Sequence, residues 1–246
     1  MITDIKNFTA TFNKIAHSKS EDSVFTDFLN MVICALSLGQ YEEEYLSIVK
    51  KYKREEVDLF CELLAELLII MDNNGVGLRD CLGEFFQSHI SRGKNGQFFT
   101  PESCTDLMAA MTINKDDTEK TFLDPCCGSG RMLLSAAKVT RRNYFYGADI
   151  DVRCVKMTAI NLCLNGLQGE VSHQNSLSGE HWGGYSIKYI QHAHLQVPVI
   201  RKLPANEGIL YNSAPFNRGQ KQQEQSPPSQ EIKVITATQA KLNFEE

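Results

Sequence analysis

One segment of the 246-residue chain constrains its fold more than any other, and it spans residues 121–134, TFLDPCCGSGRMLL. A short apolar run ends at Asp124, the chain turns through Gly128 and Gly130, and an apolar helical pattern follows. A strand, a glycine turn and a helix in this order are typical of the first unit of a Rossmann-like α/β domain. Glycine is useful at such a turn because a ligand can approach the backbone where a Cβ atom would collide.

The glycine turn differs from two well-known phosphate-binding patterns. It has no Lys-Ser/Thr pair, which a P-loop requires, so hydrolysis of nucleoside triphosphates is disfavoured. Gly128 and Gly130 also supply only two of the three glycines of a dinucleotide fingerprint. A nicotinamide-dependent dehydrogenase is therefore the weakest of three interpretations of this chain.

Short apolar runs alternate with helical patterns after residue 120. The predicted strands are 121–123, 144–148 and 170–172, and the predicted helices are 130–138 and 152–165. This alternation predicts an α/β fold with a doubly wound, mostly parallel sheet and right-handed crossovers.

A second acidic position follows the second predicted strand. Asp149 stands where a doubly wound fold places a carboxylate that accepts hydrogen bonds from ribose hydroxyls. Together with Asp124, it suits a ligand that carries both a ribose and positive charge. S-adenosyl-L-methionine, which has a sulfonium and an amino group, fits this description better than NAD, whose pyrophosphate is anionic.

The first 92 residues differ from the rest of the chain in pattern and charge. They carry 9 basic and 15 acidic side chains, against 16 and 15 in the remainder. Their apolar residues recur at three- and four-residue spacing, which predicts a small bundle with helices at 24–36, 57–71 and 78–90.

We therefore expect three segments. They are a helical N-terminal domain over 1–92, an α/β domain over 93–216, and a polar tail over 217–246. The tail is rich in glutamine and serine, so we expect much of it to be disordered, and only residues 232–236 have the pattern of a strand.

Composition argues against a membrane segment and a metal site. The longest apolar run, Leu63–Met71, is too short for a membrane span, and the N-terminus has no signal-peptide pattern, so we expect a cytoplasmic protein. The adjacent Cys126 and Cys127 have poor geometry for one zinc ion, and His192 and His194 are better explained as surface residues, so we assign no metal.

With a net charge of −5 the chain has no dense basic face for DNA.

Two motifs together resemble a known family. The sequence Asp-Pro-Cys-Cys-Gly-Ser-Gly-Arg-Met-Leu at 124–133 is preceded by Gly-Gln-Phe-Phe-Thr-Pro at 96–101. The pair, in this order, resembles the modification subunits of type I restriction-modification systems, which are N6-adenine DNA methyltransferases. The resemblance covers about residues 20–180 and implies that 93–216 is a methyltransferase-like domain that binds S-adenosyl-L-methionine.

The resemblance also implies which residues hold the cofactor. Segment 96–101 closes over its methionine half, Asp149 holds the ribose, and the third-strand motif Gly-Asp-Ser-Leu aligns with residues 174–177, which places Asn175 beside the adenine ring. The predicted cofactor-binding residues are Gln97, Phe99, Thr100, Asp124, Cys126, Gly128, Ser129, Gly130, Asp149 and Asn175.

A helix is expected directly after the upstream motif. Thr100 and Pro101 are a favourable N-cap and first helical residue. The predicted inner face of this helix consists of Cys104, Leu107, Met108 and Met111.

The family's catalytic motif, Asn-Pro-Pro-Phe or Asn-Pro-Pro-Tyr, has only a partial match. In the family the asparagine and a proline carbonyl hold the amino group of a flipped adenine, and the aromatic ring stacks on the base. Here a predicted strand at 208–211 precedes Asn212-Ser-Ala-Pro-Phe. If Asn212 is aligned with the asparagine of the motif, one residue too many separates it from Phe216. If Pro215 and Phe216 are aligned instead, a serine stands at the asparagine position. Asn212, Pro215 and Phe216 are nevertheless the candidate catalytic residues.

Two functions from different classes remain open. The first is a shortened adenine-N6 DNA methyltransferase of this family, which meets DNA through a specificity subunit and works with restriction-modification partner subunits. The alternative is a catalytically inactive family member that binds S-adenosyl-L-methionine and acts as a regulatory or partner subunit. The partial catalytic motif, and the 30 mostly polar residues that follow Phe216, favour the alternative.

Overall fold

The computed structural model describes residues 5–91, 98–192, 194–213 and 232–234. The chain divides into two compact units, residues 1–99 and residues 100–246. Within the described ranges, no helix is both long enough and apolar enough to cross a membrane. Most of the predicted polar tail lies outside these ranges.

The first unit is helical, as the spacing of its apolar residues predicts. Phenylalanine rings fill its core, where Phe8, Phe12 and Phe25 surround Phe85 with ring centroids 4.8–5.7 Å away. The helix predicted at 78–90 begins only at Cys81. The helices of the first unit are α1 (Lys6–Ala16), α2 (Glu21–Ala35), α3 (Glu42–Val49), α4 (Arg54–Asp72) and α5 (Cys81–Phe85). The π-helical segment Phe86–Ser91 continues α5.

The second unit alternates strands and helices. Its first part comprises α6 (Glu102–Thr112), β1 (Thr121–Asp124), α7 (Arg131–Val139), β2 (Tyr144–Asp149), α8 (Val152–Leu164) and β3 (Gln168–Gln174). Its second part comprises β4 (His181–His192), β5 (Leu195–Leu203), α9 (Ile209–Ser213) and β6 (Ile232–Val234). The three strands and two helices predicted between residues 121 and 172 are confirmed.

The sheet has the strand order β5-β4-β3-β2-β1-β6. β1, β2, β3 and β6 are parallel to their neighbours in this group, whereas β4 and β5 form an antiparallel hairpin beside β3. The chain moves outward from β1 through β2 to β3, and β6 lies on the other side of β1. Ligands bind at such a reversal of strand order in α/β proteins. The predicted Rossmann-like fold is confirmed, and so is the strand predicted near residue 232.

The strand predicted at 208–211 is wrong, because this segment begins helix α9. The buried carboxylate of Glu170 on β3 accepts hydrogen bonds from the backbone N–H groups of Ile209 and Leu210, each at 3.0 Å. Gly208 precedes them with φ of +113°, which an L-residue rarely adopts. A carboxylate at the first amides of a helix stabilises it, so a contact distant in sequence overrides the local strand pattern.

The predicted inner face of α6 is also wrong. Leu107 and Met111 are exposed, whereas Thr105 and Ala109 are buried. The reason is that α6 packs on α7 through polar groups: the Ser135 hydroxyl lies 2.8 Å from Thr105 Oγ1. This arrangement buries a threonine and an alanine and leaves the apolar stripe outside.

Candidate functional site

The carboxyl ends of the parallel strands bring three of the predicted residues to one edge of the sheet. Asp124 is the last residue of β1 and Asp149 the last residue of β2. Asn175 directly follows β3. In the strand register Asp124 pairs with Gly147, and Asp149 pairs with His173. The edge therefore carries two carboxylates and an amide around the turn that follows β1.

The glycine turn requires glycine for two separate reasons. Gly128 and Gly130 have φ of +56° and +85°, a conformation that disfavours residues with a Cβ atom. A Cβ atom on Gly130 would also lie 2.9 Å from Cγ2 of Thr158. The turn therefore packs directly against α8.

Hydrogen bonds from β2 and from α8 hold the turn in place. The Cys127 N–H donates to the Ala148 carbonyl at 2.9 Å. From α8, the Thr158 hydroxyl donates to the Gly128 carbonyl at 2.9 Å, and the Asn161 amide donates to the Ser129 carbonyl at 2.8 Å. Sequence reasoning missed Thr158 and Asn161. Both are fully buried, but α8 also carries Arg153 and Lys156, so no local pattern distinguishes them in the sequence.

Asp149 joins the end of β2 to the glycine turn. Its Oδ2 accepts a hydrogen bond from the Gly128 N–H, and its Oδ1 accepts one from the Asp151 N–H, both at 2.9 Å. Asp151 itself caps α8 and pairs with Arg153, whose Nη2 lies 2.6 Å from Oδ2. Asp151 is thus neutralised locally, whereas Asp149 contacts backbone amides.

Burial and mutual repulsion disfavour the charged forms of the two carboxylates at the strand ends. Burial raises the pKa of Asp124 to about 6, and repulsion from Asp149 adds to this shift, although the hydrogen bond from the Cys126 N–H opposes it. Burial likewise raises the pKa of Asp149, against the hydrogen bonds from Asp151 and Gly128. Among described residues, no lysine or arginine forms an ion pair with either carboxylate. A positively charged ligand would relieve this repulsion.

The loop after β3 closes the other side of the site. The Ser176 hydroxyl donates to the Pro125 carbonyl at 2.6 Å, which joins this loop to the glycine turn. Asn175 Oδ1 accepts hydrogen bonds from the N–H groups of Leu177 and Ser178 at 3.0 and 3.2 Å, so its oxygen shapes its own turn. Leu177 is 91% exposed.

A second exposed apolar residue lies at the end of β2. Ile150, which directly follows Asp149, is 61% exposed. Sequence reasoning missed both Leu177, which lies three residues after β3, and Ile150, which directly follows β2. Apolar side chains at the edge of a ligand site suit a flat ring.

The upstream motif is divided between the two units. Gln97 lies outside the described residues. Phe99 belongs to the first unit, where its ring stacks on Phe86 with centroids 5.7 Å apart. Thr100 is exposed, and its carbonyl accepts a hydrogen bond from Arg131 at 2.9 Å. The N-cap of α6 is Pro101 rather than the predicted Thr100.

The remaining cofactor candidates lie in the glycine turn. Cys126 is exposed at the start of the turn, and its N–H donates to Asp124 Oδ1 at 3.1 Å. Ser129 is buried, and its carbonyl accepts the hydrogen bond from Asn161. The structure thus groups Asp124, Cys126, Gly128, Gly130, Asp149 and Asn175, with Thr100 joined through Arg131.

Of the three catalytic candidates, Asn212 lies among the described residues. Asn212 is exposed near the end of α9, one turn after the amides that Glu170 binds. The strand beside β1 is β6, so Asn212 does not follow that strand. Pro215 and Phe216 lie outside the described residues. In the described part of the chain, no group of three His, Cys, Asp or Glu residues is arranged to hold a metal ion.

Comparison with known proteins adds independent information. The type I restriction enzyme MpnII methylase subunit of Mycoplasma pneumoniae is 29% identical over 154 residues, 52% of this chain and 28% of that protein. The MjaIX methylase subunit of Methanocaldococcus jannaschii is 25% identical over 126 residues, 46% of this chain and 22% of that protein. The type II methyltransferase M.VspI of a Vibrio species is 37% identical over 78 residues, 28% of this chain and 18% of that protein.

The matched segments therefore span less than a third of these relatives. A crystal structure of a type I restriction-modification methyltransferase subunit from Streptococcus thermophilus is 19% identical, with a TM-score of 0.35, over 65% of this chain and 36% of that chain. The model of the N-6 DNA methylase family matches residues 79–239, well over half of the sequence and including the whole site. The chain belongs to the N-6 DNA methylase family.

Proposed function

We propose that this chain binds S-adenosyl-L-methionine at the carboxyl ends of β1, β2 and β3. The observation that carries the proposal is the pair of half-buried carboxylates, Asp124 and Asp149, on either side of a glycine turn with no described cation paired to them. The cofactor carries a sulfonium and an amino group, so its methionine half supplies the missing positive charge. Family membership supports the same cofactor.

The described residues fit the three parts of this cofactor. Asp124 would hold the methionine half against the glycine turn, with Cys126 and Thr100 beside it. Asp149 would accept hydrogen bonds from the ribose hydroxyls. Asn175 would meet the adenine ring, with Ile150 and Leu177 as apolar neighbours. Gln97 and Phe99 complete the proposed set from the upstream motif.

We further propose that the reaction is methyl transfer to the exocyclic N6 amine of an adenine in DNA. S-adenosyl-L-methionine supplies an electrophilic methyl group. The role left to the chain is to hold a flipped base so that its amine faces that group, which is catalysis by positioning and hydrogen bonding. Asn212 and the Pro215 carbonyl would accept from the amine, and Phe216 would stack on the ring.

DNA would be held mainly by partner subunits. The chain has a net charge of −5, which is unfavourable for binding a polyanion without help. Relatives that are methylase subunits of type I restriction enzymes support a role beside a specificity subunit and other restriction-modification partners. The proposed complex therefore reads its DNA target through a second protein.

A second function is favoured by one specific observation. Asn212 lies in α9 rather than after the strand beside β1, so the residue best suited to hold the amine is not at the end of a central strand. A regulatory or partner subunit of this family would bind the cofactor without transferring its methyl group. Such a protein does not need an asparagine at the end of a central strand.

Two measurements on the same protein separate these functions. Calorimetry with S-adenosyl-L-methionine should give saturable binding to the wild type and none to Asp124→Ala. Transfer of a labelled methyl group to DNA should then occur in the presence of a specificity subunit and be lost in Asn212→Ala, which retains cofactor binding. If the wild type binds the cofactor but transfers no methyl group to DNA, the methyltransferase function is refuted and the regulatory function stands. If the wild type does not bind the cofactor, both functions are refuted.

A further inference from the structure

Three residues contact one another at the carboxyl ends of β2 and β3, beside the proposed cofactor site. His173, near the end of β3, pairs with Asp149 in the strand register. Its Nε2 lies 3.1 Å from the carbonyl oxygen of Ile150, the residue that follows Asp149. The ring of Trp182 packs on the His173 ring with centroids 4.8 Å apart. The three residues connect β4, β3 and the loop between β2 and α8.

A β-bulge directs Trp182 to this position. In the antiparallel pair of β3 and β4, His173 pairs with Gly183 and Gln174 pairs with His181, so Trp182 is the extra residue of the bulge. Bulges commonly redirect a side chain next to a functional site. Trp182 remains 40% exposed although it contacts His173, so it does not serve simply to fill the core.

The hydrogen bond from His173 restrains the backbone that carries Asp149. A carbonyl oxygen can only accept, so Nε2 of His173 carries the hydrogen and donates it to Ile150. On the other side of Ile150, the Asp151 N–H is bound to Asp149 Oδ1 at 2.9 Å. The loop after β2 is thus held at two successive residues, and a shift at Ile150 would move the Asp149 carboxylate.

We infer that Trp182 and His173 are positioning residues for the adenosine half of the cofactor. Trp182 fixes the plane of the His173 ring, His173 holds the Ile150 carbonyl, and Ile150 and Asp149 then face the adenine and the ribose. The inference rests on the proposed binding of S-adenosyl-L-methionine. It deepens that proposal by assigning a role to residues that touch neither the methionine half nor the reacting groups.

The chain offers a direct probe, because Trp182 is its single tryptophan. Indole emission responds to nearby groups and to solvent, so the fluorescence of the intact protein reports on this one position. Titration with S-adenosyl-L-methionine should shift the emission saturably, with the same Kd that calorimetry gives. Adenosine alone should produce the same shift, because the pair acts on the adenosine half.

Variants test whether the contact matters for affinity. His173→Ala removes the hydrogen bond and should weaken binding of both S-adenosyl-L-methionine and adenosine by roughly tenfold. His173→Gln keeps an N–H donor at the end of the side chain and should recover most of the affinity. Trp182→Phe keeps a ring on His173 and should stay close to wild type, whereas Trp182→Ala should resemble His173→Ala.

A matched control lies on the same hairpin. Leu195→Ala changes a residue at the start of β5 that is 69% exposed, and it should leave both affinities unchanged. Circular dichroism melts of every variant verify that the fold persists. Recovery by His173→Gln distinguishes positioning from a general loss of structure, since Ala and Gln variants remove the same imidazole packing.

The outcomes separate this inference from the function on which it rests. If calorimetry detects cofactor binding but emission does not change and His173→Ala binds as tightly as wild type, the inference is overturned and the proposed function stands. If the wild type binds neither S-adenosyl-L-methionine nor adenosine, the proposed function fails and the inference fails with it.

Discussion

The backbone N–H of Gly128 donates a hydrogen bond of 2.9 Å to Oδ2 of Asp149, and this bond joins the turn after β1 to the end of β2. The carboxylate that we propose as the acceptor for the ribose therefore also shapes the loop proposed to hold the methionine half. Asp149 has a further bond to the Asp151 N–H, so its position is fixed before any ligand arrives. The two halves of the proposed site are mechanically connected through one side chain.

Asp149→Ala should abolish most cofactor affinity. The change removes the proposed acceptors for two ribose hydroxyls, and hydrogen bonds to a charged group contribute about 1.5–3 kcal/mol each, so the loss should be roughly a hundredfold or more. Calorimetry with S-adenosyl-L-methionine measures it. Asp151→Asn is the control, since Asp151 is occupied by Arg153 and should have no part in binding. Equal affinity in Asp149→Ala and wild type would contradict this assignment.

Asp124→Asn should stabilise the ligand-free protein at alkaline pH. The pKa of Asp124 rises from 3.8 to about 6 on folding because of burial, so the folded state binds its proton more tightly. Stability contributed by this group is complete below pH 3.8 and is lost as pH rises through 6. The shift corresponds to about 3 kcal/mol, and solvent access to the carboxylate reduces the expected gain to about 2 kcal/mol.

Denaturant unfolding at two pH values measures this gain. At pH 8 the asparagine variant should be more stable than the wild type, whereas near pH 3.5 the two should be equal, because Asp124 is then protonated in both states. The asparagine oxygen can still accept from the Cys126 N–H. A variant that is less stable than wild type at pH 8 would mean that the carboxylate is not a source of strain.

Cofactor affinity should rise with pH through the same range. A cation binds to ionised Asp124, so wild-type affinity for S-adenosyl-L-methionine should increase between pH 5 and pH 7, on either side of its pKa of about 6. Asp124→Asn should bind weakly with little pH dependence over that interval. An identical pH profile in the two proteins would assign the titration to another group.

The strands, the glycine turn and the two acidic strand ends were predictable because each depends on local pattern. β1 and β2 are short apolar runs, and Asp124 and Asp149 end them at the position where parallel strands present their carboxyl termini. The Gly130 requirement follows from the same reasoning, and the structure adds its physical cause in the contact with Thr158. Periodicity and turn chemistry thus sufficed for the strands, the turn and the two acidic strand ends.

The rest depends on contacts between residues far apart in sequence. Helix α9 replaces a predicted strand because Glu170, 39 residues before Ile209, binds its first amide. Thr158 and Asn161 are ordinary helix residues until the fold places them under the carbonyls of the glycine turn. No local pattern in the sequence of α8 or α9 carries that information.

Gly130→Ala should destabilise the protein more than Gly75→Ala does. Both glycines have nearly the same positive φ, +85° and +82°, so both changes carry the backbone cost of about 1–2 kcal/mol. A Cβ atom at Gly75 has no neighbour within 4 Å, whereas at Gly130 it meets Thr158 Cγ2 at 2.9 Å. The difference between the two free energies of unfolding therefore measures the steric cost of the glycine turn.

A second change tests the source of that cost. Thr158→Ser removes the offending methyl group and keeps the hydroxyl that binds the Gly128 carbonyl. Combined with Gly130→Ala, it should recover part of the lost stability and part of the cofactor affinity. Strict additivity of the two single changes would place the strain elsewhere.

Glu170→Ala should unfold α9 locally while the sheet persists. The change leaves the amides of Ile209 and Leu210 without their acceptor, so their hydrogen exchange should accelerate by roughly tenfold or more. Amides of β2 should keep their protection. Glu180→Ala, at an exposed glutamate between β3 and β4, is the matched control and should leave exchange in α9 unchanged.

Gly208→Ala provides a second route to the same state, because its Cβ atom would lie 2.5 Å from Glu170 Oε1 at a φ of +113°. Unaltered protection of Ile209 and Leu210 in both variants would show that α9 does not depend on this carboxylate.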